Sequence, residues 1–254
     1  MLKKRLIAVI LMREMSVVQS IKFKHTNVIH YDPIHAINSF NRWAVDEMVI
    51  LNVSRDESKK DTFVKTLNRI STECFVPLAA GGWINDLEYG RTLLLNGADK
   101  LVINTYAFIN PAFISKLAQR FGNQCIVVSV DSRLNETGEE VVVIDRGRQM
   151  TNMRTVEWAR KAETLGAGEL FINSLDHDGN RKGYNIGLVR SITEAVSIPV
   201  IAMGGVFTWK HLAEGIVDAK ADAVAAANIF HYTEQSIKKA KRYLLDAGLN
   251  FRKL

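Results

Sequence analysis

The chain has 254 residues, 47% hydrophobic and 24% charged, with a formal net charge of +6. These fractions are those of an ordinary globular protein, and no apolar run approaches the roughly 18 residues of a membrane span. Its two cysteines, Cys74 and Cys125, form no CxxC pair and no Cys/His ligand spacing; this argues against a disulfide scaffold or bound metal and fits a reducing cytoplasm.

The first residues, Met1-Leu2-Lys3-Lys4-Arg5 before Leu6 to Met12, imitate a leader peptide but lack a small-residue cleavage site. They read as the approach to a first strand. Short apolar runs then alternate with longer amphipathic stretches. Strands are expected at Leu6–Leu11, Met48–Leu51, Val76–Ala80, Leu101–Ile103, Ile126–Val130, Leu170–Ile172, Pro199–Ala202 and Ala223–Ala226. Helical patterns include Asp61–Ser71, Asp86–Leu95, Pro111–Arg120, Thr155–Leu165 and Trp209–Ala219. Gly138–Thr151 reads as a hairpin inserted after the fifth strand. Eight strands in βα alternation over about 250 residues predict an α/β protein, a (β/α)8 TIM barrel forming one domain over 1–254. Lys238, Lys239, Lys241 and Arg242 form the clearest basic cluster, read as the solvated face of a C-terminal helix rather than a nucleic-acid surface.

An internal repeat organises the chain. Gly81-Gly82, Gly97-Ala98-Asp99 and Asn104-Thr105 match Gly204-Gly205, Lys220-Ala221-Asp222 and Ala227-Asn228 at an offset of 123. Glu47 and Asp56 match Glu169 and Asp178 at 122, and Arg5–Leu11 matches Cys125–Asp131 at 120. The chain therefore reads as two (β/α)4 half-barrels, about 1–123 and 124–254.

In such a barrel the strand ends and following loops form the catalytic face. Glycines at Gly81-Gly82 and Gly204-Gly205 let backbone N–H groups approach an anion, with Asn104-Thr105 and Ala227-Asn228 and the helices after them completing two phosphate cradles. Gly-Gly can equally serve only to make tight βα turns. Asp131 ends strand five, and Asp176-His177-Asp178-Gly179 follows strand six; Asp131 and Asp178 are the candidate acid/base carboxylates. Asp178-Gly179 also fits an Asx-type turn, and His177 reads as a surface histidine. The repeat exposes an asymmetry, because the counterpart of Asp131 is Leu11, which transfers no proton. At the strand starts, Arg5, Glu47, Lys100 and Glu169 could form a charged ring, either a salt-bridged plug or a gate for a small polar molecule.

Almost along its whole length the chain resembles the cyclase (HisF-type) subunit of imidazole glycerol phosphate synthase. The resemblance rests on Lys4-Arg5-Leu6-Ile7, Val45-Asp46-Glu47, Asn96-Gly97-Ala98-Asp99-Lys100, Arg120–Val128, Leu165-Gly166-Ala167-Gly168-Glu169, Asp176-His177-Asp178-Gly179 with Gly183-Tyr184, and Ile229-Phe230-His231-Tyr232. It implies that a glutaminase (HisH-type) subunit docks at the strand-start face, that ammonia passes a charged gate, and that a bis-phosphorylated intermediate is cyclised at the other end by two aspartates. No cofactor is implied. Arg5, Glu47, Lys100 and Glu169 match the gate, which favours the gate over the plug. Asp99 matches the glutaminase interface, and Asp131, Asp178 and Gly179 also match.

The departures gather at the reaction centre. Leu11 replaces the first aspartate, and Gln19 replaces the lysine of a mobile loop that also carries Met15 and Ser20. Trp83, Asn85, Met203 and Asn228 replace a glycine, an arginine and two serines. The resemblance extends to diverged paralogues that work with a glutaminase and a separate ATP-dependent amidotransferase on surface-polysaccharide or nonulosonate sugars. It thus implies an ammonia-conducting subunit serving a sugar amidation. The alternative is a working histidine-pathway cyclase.

Overall fold

The computed structural model describes residues 2–21 and 25–254. Met1 and the segment 22–24 lie outside the described residues. In chain order the strands are β1 (Arg5–Arg13), β2 (Ser16–Ile21), β3 (His25–His30), β4 (Glu47–Asn52), β5 (Leu78–Gly81), β6 (Lys100–Ile103), β7 (Ile126–Leu134), β8 (Glu140–Ile144), β9 (Gln149–Arg154), β10 (Glu169–Ser174), β11 (Val200–Met203) and β12 (Ala223–Ala226). The helices are α1 (Ile34–Arg42), α2 (Lys60–Glu73), α3 (Leu87–Leu95), α4 (Thr105–Ile109), α5 (Ala112–Phe121), α6 (Thr155–Thr164), α7 (Ile186–Thr193), α8 (Trp209–Val217) and α9 (Ser236–Asp246). Eight parallel strands in the sheet order β1-β4-β5-β6-β7-β10-β11-β12, each followed by helix, give the chain the (β/α)8 TIM-barrel fold. Among the described residues, no helix is long and apolar enough to cross a membrane.

The chain forms two compact units, Met1–Val102 with Ala226–Leu254, and Ile103–Ala225. These bounds differ from the half-barrel boundary expected near residue 123 because the C-terminal segment packs with the first strand's surroundings: Lys4 N–H donates to Asn250 O at 2.8 Å, and Lys241 reaches Asp46.

In the first unit, β1 is apolar and buried from Leu6 through Met12, as expected of a parallel strand covered on both faces. It pairs with β4 in a register that sets Ile7 against Glu47 and Leu11 against Leu51. At its lower end Leu6 and Asp46 are joined twice. Asp46 N–H donates to Leu6 O (3.1 Å), and Leu6 N–H donates to Asp46 Oδ2 (2.9 Å). Asp99 repeats the clamp on Leu78, at 2.7 and 2.8 Å. The connection after β1, expected as a loop, contains the antiparallel hairpin β2–β3, with Val18 paired to Leu11.

The basic cluster on α9 is not uniformly solvated. Lys241 is 0% exposed because it shares the buried stripe Ile237, Ala240 and Leu244, at helical spacing. Its ammonium meets Asp46 Oδ1 at 2.5 Å and Ala44 O at 2.7 Å.

In the second unit, β7 runs past its expected end at Val130 because its far half pairs antiparallel with β8, Asp131 opposite Val143. The expected insertion is this β8–β9 hairpin, turned at Asp145, Arg146 and Gly147, all with positive φ. Asp222 clamps Val200 as Asp99 clamps Leu78, at 2.9 and 3.1 Å. The β7–β10 pair uses Gly168 instead. Its N–H donates to Ile126 O at 2.8 Å, and a Cβ there would lie 2.1 Å from Asn123 O.

Removing one partner of a buried ion pair leaves the other charge uncompensated. Lys241→Met is therefore expected to cost about 3 kcal/mol or more in thermal unfolding, against about 0.5 kcal/mol or less for exposed Lys239→Met. Equal losses would contradict the inward placement of Lys241.

Candidate active site

Asp131 lies on the strand-end half of β7 and is 6% exposed. Two carboxamides from flanking strand ends hold it. Asn104 Nδ2 donates to Oδ2 at 2.8 Å, and Asn173 Nδ2 donates to Oδ1 at 3.0 Å. Burial pushes its carboxyl above the ordinary value, against the two donors, which favour the ionised form. Such a carboxyl is suited to exchange a proton with a bound substrate. Asn173 was not among the expected residues, although an asparagine closing the apolar run Leu170–Ile172 was a visible signal. In the register it stands beside Asp131. Its Oδ1 and the hydroxyl of Ser174 are buried without a hydrogen-bond partner.

Of the other candidates in the second unit, Thr105 is engaged by the inserted hairpin, Asp145 N–H donating to its Oγ1 at 3.0 Å. The segment after β10 is a compact turn. Asp178 N–H donates to Ser174 O at 2.9 Å, and exposed Gly179 stands at φ +70°. Asp178 is half-buried there. His177 is not a free surface histidine, since its Nδ1 lies 2.9 Å from Gly183 O. This turn packs on Gly205, where a Cβ would meet Gly183 O at 2.3 Å. Gly204 and Gly205 both have positive φ, so their tight turn is real and leaves no room for side chains.

The first unit places two leucines where the second places Asp131 and Asn173. Leu11 and Leu51 are register partners, as Asp131 and Asn173 are. Gly81 packs between Val102 and Leu51, a Cβ there meeting Val102 O at 2.6 Å and Leu51 Cδ2 at 3.0 Å. Gly82 has φ +116° and lies against Asn52. Trp83 follows at φ +59°, its indole N–H donating to Ser54 O at 2.9 Å. Ala227 and Asn228 open a three-residue 3-10 turn, and Asn228 Nδ2 donates to Ser20 O at 3.4 Å. The helices expected to aim at phosphate from Thr105 and Asn228 are thus short, five residues in α4 and three in this turn. Gln19 accepts a hydrogen bond from Tyr232 Oη at 2.8 Å, which ties β2 to the segment after β12.

At the strand starts of the first unit, Glu47 is 2% exposed and bridges two cations. Arg5 Nη1 lies 2.6 Å from Oε2, and Lys100 Nζ lies 2.8 Å from Oε1. Asp99, beside Lys100, remains exposed. Glu169 opens β10 in the second unit, half-buried. Among the described residues, no group of three or more His, Cys, Asp or Glu side chains is placed to hold a metal ion.

The model of the family described as histidine biosynthesis protein matches residues 5–236. The chain belongs to that family. The span that matches the histidine biosynthesis protein family begins at the gate candidate Arg5 and includes every other candidate up to Asn228.

The raised folded-state value of Asp131 means that its contribution to stability is full below the unfolded carboxyl pKa and is lost as pH rises through the folded one. Asp131→Asn removes that loss. Its melting temperature should exceed the wild type's at pH 8, with the gap narrowing toward pH 4, while any acid/base activity falls by about 10² or more. A gap independent of pH in thermal scans would refute this account of Asp131.

Proposed function

We propose that this chain is a diverged ammonia-accepting barrel subunit, a cyclase-type relative that docks a glutaminase at its strand-start face and passes ammonia to a sugar-amidating partner. The observation that carries this reading is a contrast. The buried Arg5–Glu47–Lys100 bridge is kept intact, while the strand-end position equivalent to Asp131 is Leu11, packed in register with Leu51. A buried carboxylate bridging two cations opposes the passage of ions, and its parting admits a neutral molecule the size of ammonia. Two exposed apolar side chains support docking on the same side of the first unit. Phe75, in the turn before β5, is 80% exposed, and Leu95, at the end of α3, is 69% exposed. Exposed Asp99 lies four residues after Leu95, and its backbone and carboxylate hold Leu78, three residues after Phe75. Apolar groups rimmed by polar ones suit a protein partner. The acceptor, a sugar on which a separate ATP-dependent amidotransferase forms an acetamidino group, comes from the resemblance.

A working cyclase of histidine biosynthesis is the second reading, favoured by Asp131 between Asn104 and Asn173. Asp131 or Asp178 would then carry both proton transfers, although losing one general acid or base typically costs about 10² to 10⁴ in rate. Incubation with the ribulosyl intermediate and high ammonium separates the two. Silence is expected, together with stimulation of the cognate glutaminase; turnover at ordinary enzymic rates would establish the cyclase instead.

Under the preferred reading, Glu47→Ala and Lys100→Ala should each release glutamate without equivalent amidated product. Paired assays of both products check this, and coupling that survives both substitutions would remove the gate. Phe75→Asp should abolish glutaminase stimulation while leaving the melting temperature unchanged.

A further inference from the structure

The inserted hairpin of the second unit ends in a strand with one open side. Among the described residues, β9 stands last in the sheet order and pairs only with β8. Its other edge therefore carries backbone N–H and C=O groups that no strand meets. A cavity of about 540 Å³ is lined by residues 149–153 of this strand, by Phe108 of α4 and by Glu157 of α6. Successive side chains of a strand point to opposite faces. A cavity that touches five consecutive residues thus runs along the edge of β9 rather than over one face.

The walls of this groove differ in chemistry. Met150 is 45% exposed, and Phe108 and Met153 are half-buried. Phe108 meets Trp158 edge-on, the ring centroids 5.0 Å apart, which fixes its orientation. Two methionines beside an aromatic ring make an adaptable apolar surface. Exposed Glu157 is the one charged residue among those lining the groove. Among the described residues no cation is paired with it. Lys161, one helical turn on, lies over the Trp158 ring instead, 6.0 Å from its centroid. The complement of these walls is an extended backbone with apolar side chains and one cation.

Register sets the groove beside the candidate site. Asp131 stands opposite Val143, and Val143 stands opposite Met150. Two strand spacings, about 10 Å, separate the backbones of Asp131 and Met150. A partner seated on β9 is thus held next to the polar strand ends of the second unit.

We propose that β9 receives an extended segment of the ammonia-consuming partner as an additional strand, with apolar side chains on Phe108 and Met150 and a lysine or arginine on Glu157. Backbone hydrogen bonds to the open edge supply the affinity, and the side-chain contacts beside it supply the selectivity. This rests on the reading above that ammonia is passed to a sugar-amidating enzyme.

The test is amide hydrogen exchange of the full chain, alone and with the cognate amidotransferase. Protection is expected at residues 149–154. Glu157→Lys and Met150→Asp, both at exposed positions, should each weaken amidotransferase binding about tenfold in calorimetric titration. Stimulation of the glutaminase by either variant should stay at the wild-type level, which also shows that the variant is folded. Protection confined to other segments, or full affinity in either variant, would overturn the groove and leave the ammonia-passing reading standing. A doubled mass of the chain alone in sedimentation, reversed by Met150→Asp, would assign the groove to a second copy instead. Failure of the amidotransferase to bind at all would overturn that reading together with the groove.

Discussion

Asp46, Asp99 and Asp222 each hold a neighbouring strand by a backbone N–H and a carboxylate oxygen, so that each clamp closes two hydrogen bonds around one residue of the partner strand. Parallel strands with two buried faces are insensitive to many sequence details but very sensitive to register, since a slip of one residue turns every side chain to the opposite face. The clamps act at the strand starts, where each strand enters the sheet. Glu47 and Lys100 follow Asp46 and Asp99 directly, and so the same clamps hold the bridge of charges. At the other end of the strands, register places Asn173 against Asp131 and Leu51 against Leu11.

Asp131 illustrates how the polar end is maintained. A carboxyl so buried is disfavoured as an ion, and its two amide donors offset only part of that cost. The result is a group poised for proton exchange but unfavourable for stability once ionised. In the first unit the corresponding register pair is Leu11 and Leu51, and Gly81 packs against Leu51. The second unit sets a buried carboxyl between two amides at its strand ends, whereas the first unit sets leucines there and carries the Glu47 bridge at its strand starts.

Much of this was legible in the chain. Strand runs such as Leu6–Leu11 are uniformly apolar because parallel strands are covered on both sides, and the offsets of 120–123 revealed Leu11 as the counterpart of Asp131. Other features were hidden for physical reasons. The β2–β3 hairpin carries no strong turn signal among its described residues, and its alternation is broken by Gln19 and Ser20. Lys241 read as solvated because charge outweighs position in a glance at composition, although it lies on the stripe of Ile237 and Leu244. His177 looked like a loop residue since nothing local announces its contact with Gly183.

The sequence by itself determined the barrel class and the four charged residues at the strand starts, because each is written in residue type and spacing. Only the tertiary structure decided which groups are engaged. Asn104 and Asn173, from two different strand ends, both donate to Asp131, and the Trp83 indole donates to Ser54 O, 29 residues away in the chain. Hydrogen-bond satisfaction depends on atoms brought together from distant segments, and no local pattern in the chain records it.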